Sequence, residues 1–94
     1  RKDASYFKEV ERGLAKTTPG YRRRGSKRHK LGKVPALDLI FDRRVAGSRE
    51  RVHARFLFFR TFSITLMVGV PLAASKASQR QARRLQETFK PYFK

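Results

Sequence analysis

Residues 56–75 read FLFFRTFSITLMVGVPLAAS, and nowhere else in the chain do apolar side chains run together for so long. At about 1.5 Å per residue, these 20 residues make a helix about 30 Å long, close to the hydrocarbon thickness of a bilayer. One charge interrupts them. Arg60 falls about one turn in from the Phe56 end, where its long side chain can snorkel back and keep the guanidinium among headgroups. The charge-free part, Thr61 to Ser75, is 15 residues long, a length that also suits a buried core helix. A pair of strands is the third reading, because Phe, Thr, Ile and Val are β-formers. Against it, no turn signal interrupts Phe56 to Val68, and polar and apolar residues are read there as not alternating. The expectation is a transmembrane helix over 56–75, entered from a longer helix that Ser48 caps.

Within that span Gly69 and Ala73 form a small-xxx-small pair that lets a neighbouring helix approach closely. Gly69 and Pro71 are placed to bend the helix near its end. Phe56, Phe58, Phe59 and Phe62 crowd the amino-terminal end of the span, near the expected interface.

Working outward, the chain is strongly basic. Its 94 residues carry 24 Lys and Arg against 7 Asp and Glu, a formal charge of +17, and 39% are apolar. With so much of the apolar content in one run, little is left for a core elsewhere. The fold class expected is mainly α: short amphipathic helices, an extended basic segment and one long membrane-spanning helix, with no independent globular core. There is no cysteine, hence no disulfide framework and no thiolate metal site. Arg1 in place of Met suits a chain whose presequence has been removed.

Five segments follow from composition and punctuation. Residues 1–20 form an amphipathic helix and turn, with Tyr6, Phe7, Val10 and Leu14 on one face, Asp3 as cap and Thr17-Thr18-Pro19-Gly20 as the stop. Residues 21–34 are a basic extended segment, self-repelling until it meets anions. Residues 35–47 form a second helix that starts at Pro35 and ends at Gly47. Asp38 and Asp42 share a face of it as structural charges with arginine neighbours. Residues 48–75 are the long helix. Residues 76–94 are a basic amphipathic tail with Ala82, Leu85 and Phe89 on one side, and Tyr92 and Phe93 anchor its end.

The residues singled out for anion contact are Arg22, Arg23, Arg24, Lys27, Arg28 and Lys30 in the basic segment, and Arg80, Arg83 and Arg84 in the tail. Two anions suit them: headgroups of anionic lipid such as cardiolipin, or the phosphates of RNA. Tyr21 alone does not make a base-stacking platform, so sequence-specific reading of bases is not expected. Catalysis finds no foothold. His29 and His53 stand apart without spaced metal-ligand partners, and there is no phosphate-binding glycine loop and no nucleophile elbow. No cofactor and no enzymatic activity are expected.

The KLGKVP segment at Lys30 to Pro35, the single apolar span and the short basic tail resemble the small accessory subunits of mitochondrial inner-membrane complexes, of the ATP synthase subunit f type. That resemblance implies a non-catalytic structural or assembly subunit of an ATP synthase or respiratory complex. Its partners would be larger subunits and anionic lipid, and its location the mitochondrial inner membrane. The alternative is a mitochondrial ribosomal protein in the matrix, bound to rRNA and ribosomal proteins through its Arg/Lys-rich segments.

Overall fold

From Val34 to Phe58 the side chains alternate in a way that suits a strand and not a helix. In the computed structural model, which describes residues 4–89, the elements run α1 (Ala4–Thr17), β1 (Arg22–Leu31), β2 (Val34–Val45), β3 (Ser48–Phe58), β4 (Ser63–Pro71) and α2 (Lys76–Thr88). The antiparallel register of β2 and β3 opposes Leu37 to Phe56, Leu39 to Ala54 and Phe41 to Val52. On the other face it opposes Asp38 to Arg55 and Asp42 to Arg51. Apolar side chains therefore meet apolar ones, and carboxylates meet guanidinium groups, as cross-strand pairs.

The four strands form an antiparallel meander in the order β1-β2-β3-β4. Ala46 and Gly47 make the β2–β3 hairpin turn with φ of 50° and 82°, the two positive values that a two-residue type I′ loop requires. Gly32, at φ 66°, takes the first position of the β1–β2 turn, where only glycine adopts that angle without strain. Between β3 and β4 the chain reverses at Phe59 to Phe62, closed by a 2.8 Å bond from the Phe59 N–H to the Phe62 carbonyl. The two rings stack with centroids 4.7 Å apart.

One face of the sheet carries the core. Leu37, Leu39, Phe41, Val52, Ala54, Phe56 and Phe58 are buried there with Phe7 of α1, and Tyr6, Val10, Leu14 and Tyr21 pack against them. The apolar stripe of α1 thus covers the sheet. On the opposite face lies α2, whose Ala82 and Gln86 are buried. Gln86 Nε2 donates to the Ala54 carbonyl at 2.6 Å. Arg55, with its side chain 5% exposed, fixes the end of α2 by donating from Nη1 to the carbonyls of Glu87 at 3.0 Å and Phe89 at 2.8 Å. The result is a sheet between two helices, with a radius of gyration of 13.6 Å, near the roughly 13 Å of a compact chain of about 100 residues.

Four expectations are corrected by this arrangement. The stretch 56–75 is not a transmembrane helix: it is the end of β3, a turn that contains the exposed Arg60, strand β4 and the link to α2. No helix among the described residues is long and apolar enough to cross a membrane. The physical reason is that Ile64, Leu66, Val68 and Val70 alternate with Ser63, Thr65, Met67 and Gly69, a period of two that the uninterrupted hydrophobicity hid. The helix expected over 35–47 is β2, and the extended basic segment over 21–34 contains β1, hydrogen-bonded rather than free. The mainly α fold class gives way to a four-stranded sheet with two helices. The missing core is present, because alternation lets β2 and β3 each contribute one apolar side while the other side of the same strand carries charges. The Asp3 cap and the Tyr92 and Phe93 anchors lie outside the described residues.

Candidate anion-binding groove

The register of β1 against β2 slips between Arg23 and Gly25. Such a bulge puts one extra residue on the strand and re-aims a side chain. Arg23 stays opposite Phe41, on the α1 face, where its Nε donates to Glu11 Oε1 at 2.8 Å. Arg24 turns to the α2 face and donates from Nε to Asp42 Oδ2 at 2.7 Å. From β3, Arg51 donates to the same carboxylate, Nε to Oδ1 at 2.8 Å and Nη2 to Oδ2 at 3.2 Å. Asp42 is completely buried. Burial pushes its carboxyl upward, but the hydrogen bonds from Arg51 and Arg24 outweigh that and hold it below the usual carboxylate range. One buried carboxylate thus fixes two arginines side by side.

Helix α2 supplies the facing wall. Ser75 caps it, with its Oγ accepting from the Ser78 N–H at 3.2 Å, and the helix carries Arg80 and Arg83 alongside Arg24 and Arg51. Neither Arg80 nor Arg83 has a hydrogen bond or ion pair among the described residues. The floor between the walls is Gly25 and Ile40. A Cβ on Gly25 would meet nothing within 4 Å, so the glycine keeps the space open. The recess measures about 350 Å³, and a second recess of about 250 Å³ continues it past Gly25, Ile40 and Arg83 to Lys27, Asp38 and Glu87.

His53 stands in the wall of the larger recess and is 4% exposed. Its Nε2 lies 3.2 Å from Gln79 Oε1, and Gln79 Nε2 donates to the Pro71 carbonyl at 3.2 Å. That carbonyl only accepts, so it sets the amide with Oε1 toward the imidazole, which must then carry its proton on Nε2. Nδ1 is left as a buried acceptor with no partner among the described residues. Burial lowers the His53 pKa; the bond to Gln79 opposes this, and Arg83 and Arg51 add to it. The ring is held neutral among arginines.

The residues singled out from sequence divide between the two faces. Register puts Arg22 and Lys27 opposite Asp42 and Asp38, on the groove side with Arg24, Arg80 and Arg83. Register puts Arg28 and Lys30 opposite Leu37 and Pro35, on the α1 side, where the Arg28 guanidinium lies over the Phe7 ring at 5.5 Å. Arg84 is exposed on α2. Gly69 lies in β4 opposite Val52 and Ala73 in the link to α2, so they form no helix-packing face, and Arg60 has no span to snorkel along. Asp38 and Asp42 are the structural charges expected, but across strands. Gly25, Arg51, His53 and Gln79 join the groove without belonging to the anion-contact set read from the sequence. The signal for them was the Arg51-x-His53-x-Arg55 alternation and a lone glycine inside a basic run.

No protein-family model matches the chain, and no curated protein matches it. A solved structure does: the crystal structure of a Pseudomonas aeruginosa protein of unknown function, for which a regulatory role has been suggested, has a TM-score of 0.80 over 97% of this chain at 14% identity. At that identity the likeness shows the fold alone, and this chain spans 63% of the length of that protein. The resemblance to mitochondrial accessory subunits is overturned with the membrane helix on which it rested: neither an energy-transducing complex nor inner-membrane anchoring has a structural feature to carry it.

Proposed function

We propose that this domain is a non-catalytic nucleic-acid-binding module that holds the phosphate backbone of a strand in the groove between β1 and α2. The observation that carries the reading is the set of four arginines around one recess. Two of them, Arg24 and Arg51, are pinned by Asp42, and two, Arg80 and Arg83, have no hydrogen-bond or ion-pair partner among the described residues. Phosphate contacts of this kind supply affinity without reading sequence. Among the described residues no Phe, Tyr or Trp lines either recess, so no stacking platform of that kind is present, which fits sequence-independent binding. The formal charge of +17 adds long-range attraction to a polyanion. A recessed site suits a strand better than it suits a lipid surface, which needs cations on an open face. The non-catalytic reading is supported by the commitment of Asp38 and Asp42 to arginines. A matrix location would fit a nucleic-acid partner and rests on this reading alone.

The test separates the groove from bulk charge. Arg80→Glu/Arg83→Glu and Lys8→Glu/Arg12→Glu change net charge equally, the second pair being exposed on α1. Fluorescence anisotropy with a labelled single-stranded RNA should show the groove pair losing roughly tenfold or more in affinity. Its log–log salt slope should fall by about 1.4, near 0.7 for each lost contact. Equal losses for both pairs would mean that charge acts without the groove.

A further inference from the structure

The two edges of the sheet are built differently. β1 lies at one edge and β4 at the other. An unpaired edge offers its free N–H and C=O groups to any strand that approaches, and proteins guard such edges with charged side chains and bulges. β1 has both guards: six Lys and Arg among its ten residues and the register slip between Arg23 and Gly25. β4 has neither. It reads SITLMVGVP, nine residues without a charge, and its register with β3 runs unbroken from Ser63 to Pro71. Among the described residues its strand neighbour is β3 alone.

Apolar surface gathers at this edge. Ile64 and Met67 are 42% and 41% exposed, and Phe62, just before the strand, is exposed as well. Helix α2, which packs on β3 and β4, continues the same surface. Its Arg80 and Arg83 line the groove, whereas helical spacing puts Ser78, Gln81 and Leu85 on the opposite flank, toward β4. All three are exposed and uncharged. In a chain of net charge +17, this is a surface through which a second copy approaches without setting cation against cation. An acidic partner would be drawn to the arginine-rich faces instead.

Coverage along β4 also suits a second copy. On the α2 face the strand passes from buried Val70 to exposed Ile64, because α2 starts beside the Pro71 end, where Gln79 Nε2 donates to the Pro71 carbonyl. A strand paired antiparallel with itself over residues 63–71 turns about its middle residue, Met67. Ile64 of each copy then lies beside Val70 of the other, so the bare end of one strand meets the covered end of its partner. Leu66 meets Val68 on the same face and Met67 meets Met67 on the other, as apolar cross-strand pairs.

We propose that β4 pairs antiparallel with β4 of a second copy about a two-fold axis at Met67, joining the two sheets into one of eight strands. Such an interface uses one patch twice and closes on itself. The groove lies on the β1 side of each α2 and stays open, so the pairing does not depend on what the groove binds.

Analytical ultracentrifugation of the 94-residue chain should show a reversible dimer at twice the chain mass of 11.0 kDa. Its population should rise with salt, because screening removes the repulsion between two highly cationic chains while backbone pairing and apolar contact persist. Met67→Lys sets two ammonium groups together at the axis and should raise the dimer Kd roughly tenfold or more. Ala15→Lys adds the same charge at an exposed position of α1 and should change Kd by less than about twofold. A thermal melt shows whether each variant is folded. Hydrogen exchange on the parent protein locates the contact: amides within 63–71 should exchange more slowly as protein concentration rises. A chain that stays monomeric at about 1 mM in about 1 M salt, where the Debye length is about 3 Å, overturns the proposal. So does a dimer that folded Met67→Lys leaves intact, or one whose formation does not slow exchange in β4.

Discussion

Replacing Arg55 tests the charged face of the sheet directly. Its guanidinium forks onto Asp38, Nε to Oδ1 at 2.7 Å and Nη2 to Oδ2 at 2.8 Å, and its Nη1 donates to two carbonyls at the end of α2. The side chain is 5% exposed and that of Asp38 16%. Removing one member of a buried pair costs about 3–5 kcal/mol, mostly because the survivor is left charged and unpaired. Water reaches Asp38 to some extent, which places Arg55→Met near the lower end, about 3 kcal/mol. His29 does not substitute: its Nε2 lies 3.1 Å from Asp38 Oδ2 but is not aligned to hydrogen bond with it. For a domain of this size such a loss lowers Tm by about 12–24 °C. Asp38→Leu/Arg55→Met removes the orphaned carboxylate as well and should recover about 1 kcal/mol or more relative to the single variant. Urea unfolding followed by circular dichroism, with the slope unchanged and the midpoint shifted, reads both quantities. An Arg55→Met variant that loses less than about 1 kcal/mol would show that α2 is held by its apolar contacts and that the pair contributes little.

Acid should weaken the fold through His53. Burial, with Arg83 and Arg51, lowers its folded pKa below the ordinary value of about 6.5 for histidine, so the unfolded chain takes up the proton first. Stability is then full above about pH 6.5 and declines as pH falls below it; thermal melts between about pH 7.5 and 5.5 should show the decline in the parent protein and a flatter profile in His53→Leu. At Gly69 a Cβ would overlap Glu50 Oε1, the tip of a flexible side chain. Gly69→Ala should therefore displace Glu50 from Arg43, a partly exposed pair with a 2.7 Å contact, and cost under about 1 kcal/mol. A loss of several times that in chemical denaturation would mean that Glu50 cannot move.

Helical periodicity was legible in the sequence, and strand periodicity was masked by charge and by continuous hydrophobicity. The stripe of Tyr6, Phe7, Val10 and Leu14 has helical spacing and packs as α1 against the sheet. Asp38 and Asp42 hid the strand: positions four apart share a face in a helix and in a strand alike, so the pair did not choose between them. In β3 the alternation of Arg51, His53 and Arg55 with Val52, Ala54 and Phe56 was present but was absorbed into a long helix, because charged residues on a strand's second face are expected to meet solvent. Here they meet α2. The turn at Phe59 to Phe62 had no glycine, proline or asparagine to announce it; stacked rings and one backbone bond make it. The β1 bulge, which turns Arg24 into the groove, depends on the register against β2 and so is invisible in a single strand.

The division of labour among the arginines follows from scarcity of acid. Of seven carboxylate side chains in the chain, Glu11, Asp38, Asp42 and Glu50 are each engaged by an arginine. Asp38 and Asp42 lie on the α2 face of β2, paired across to β3. There they let a cationic strand be buried without leaving unpaired charge in a low-dielectric interior. Having been placed inside, those acids cannot neutralise α2. Among the described residues Arg80 and Arg83 consequently line the recess without an ion pair, beside two arginines whose positions the buried Asp42 fixes. A partner anion meets two preset guanidinium groups and two adjustable ones, an arrangement in which part of the ordering cost of binding is already met in the free protein.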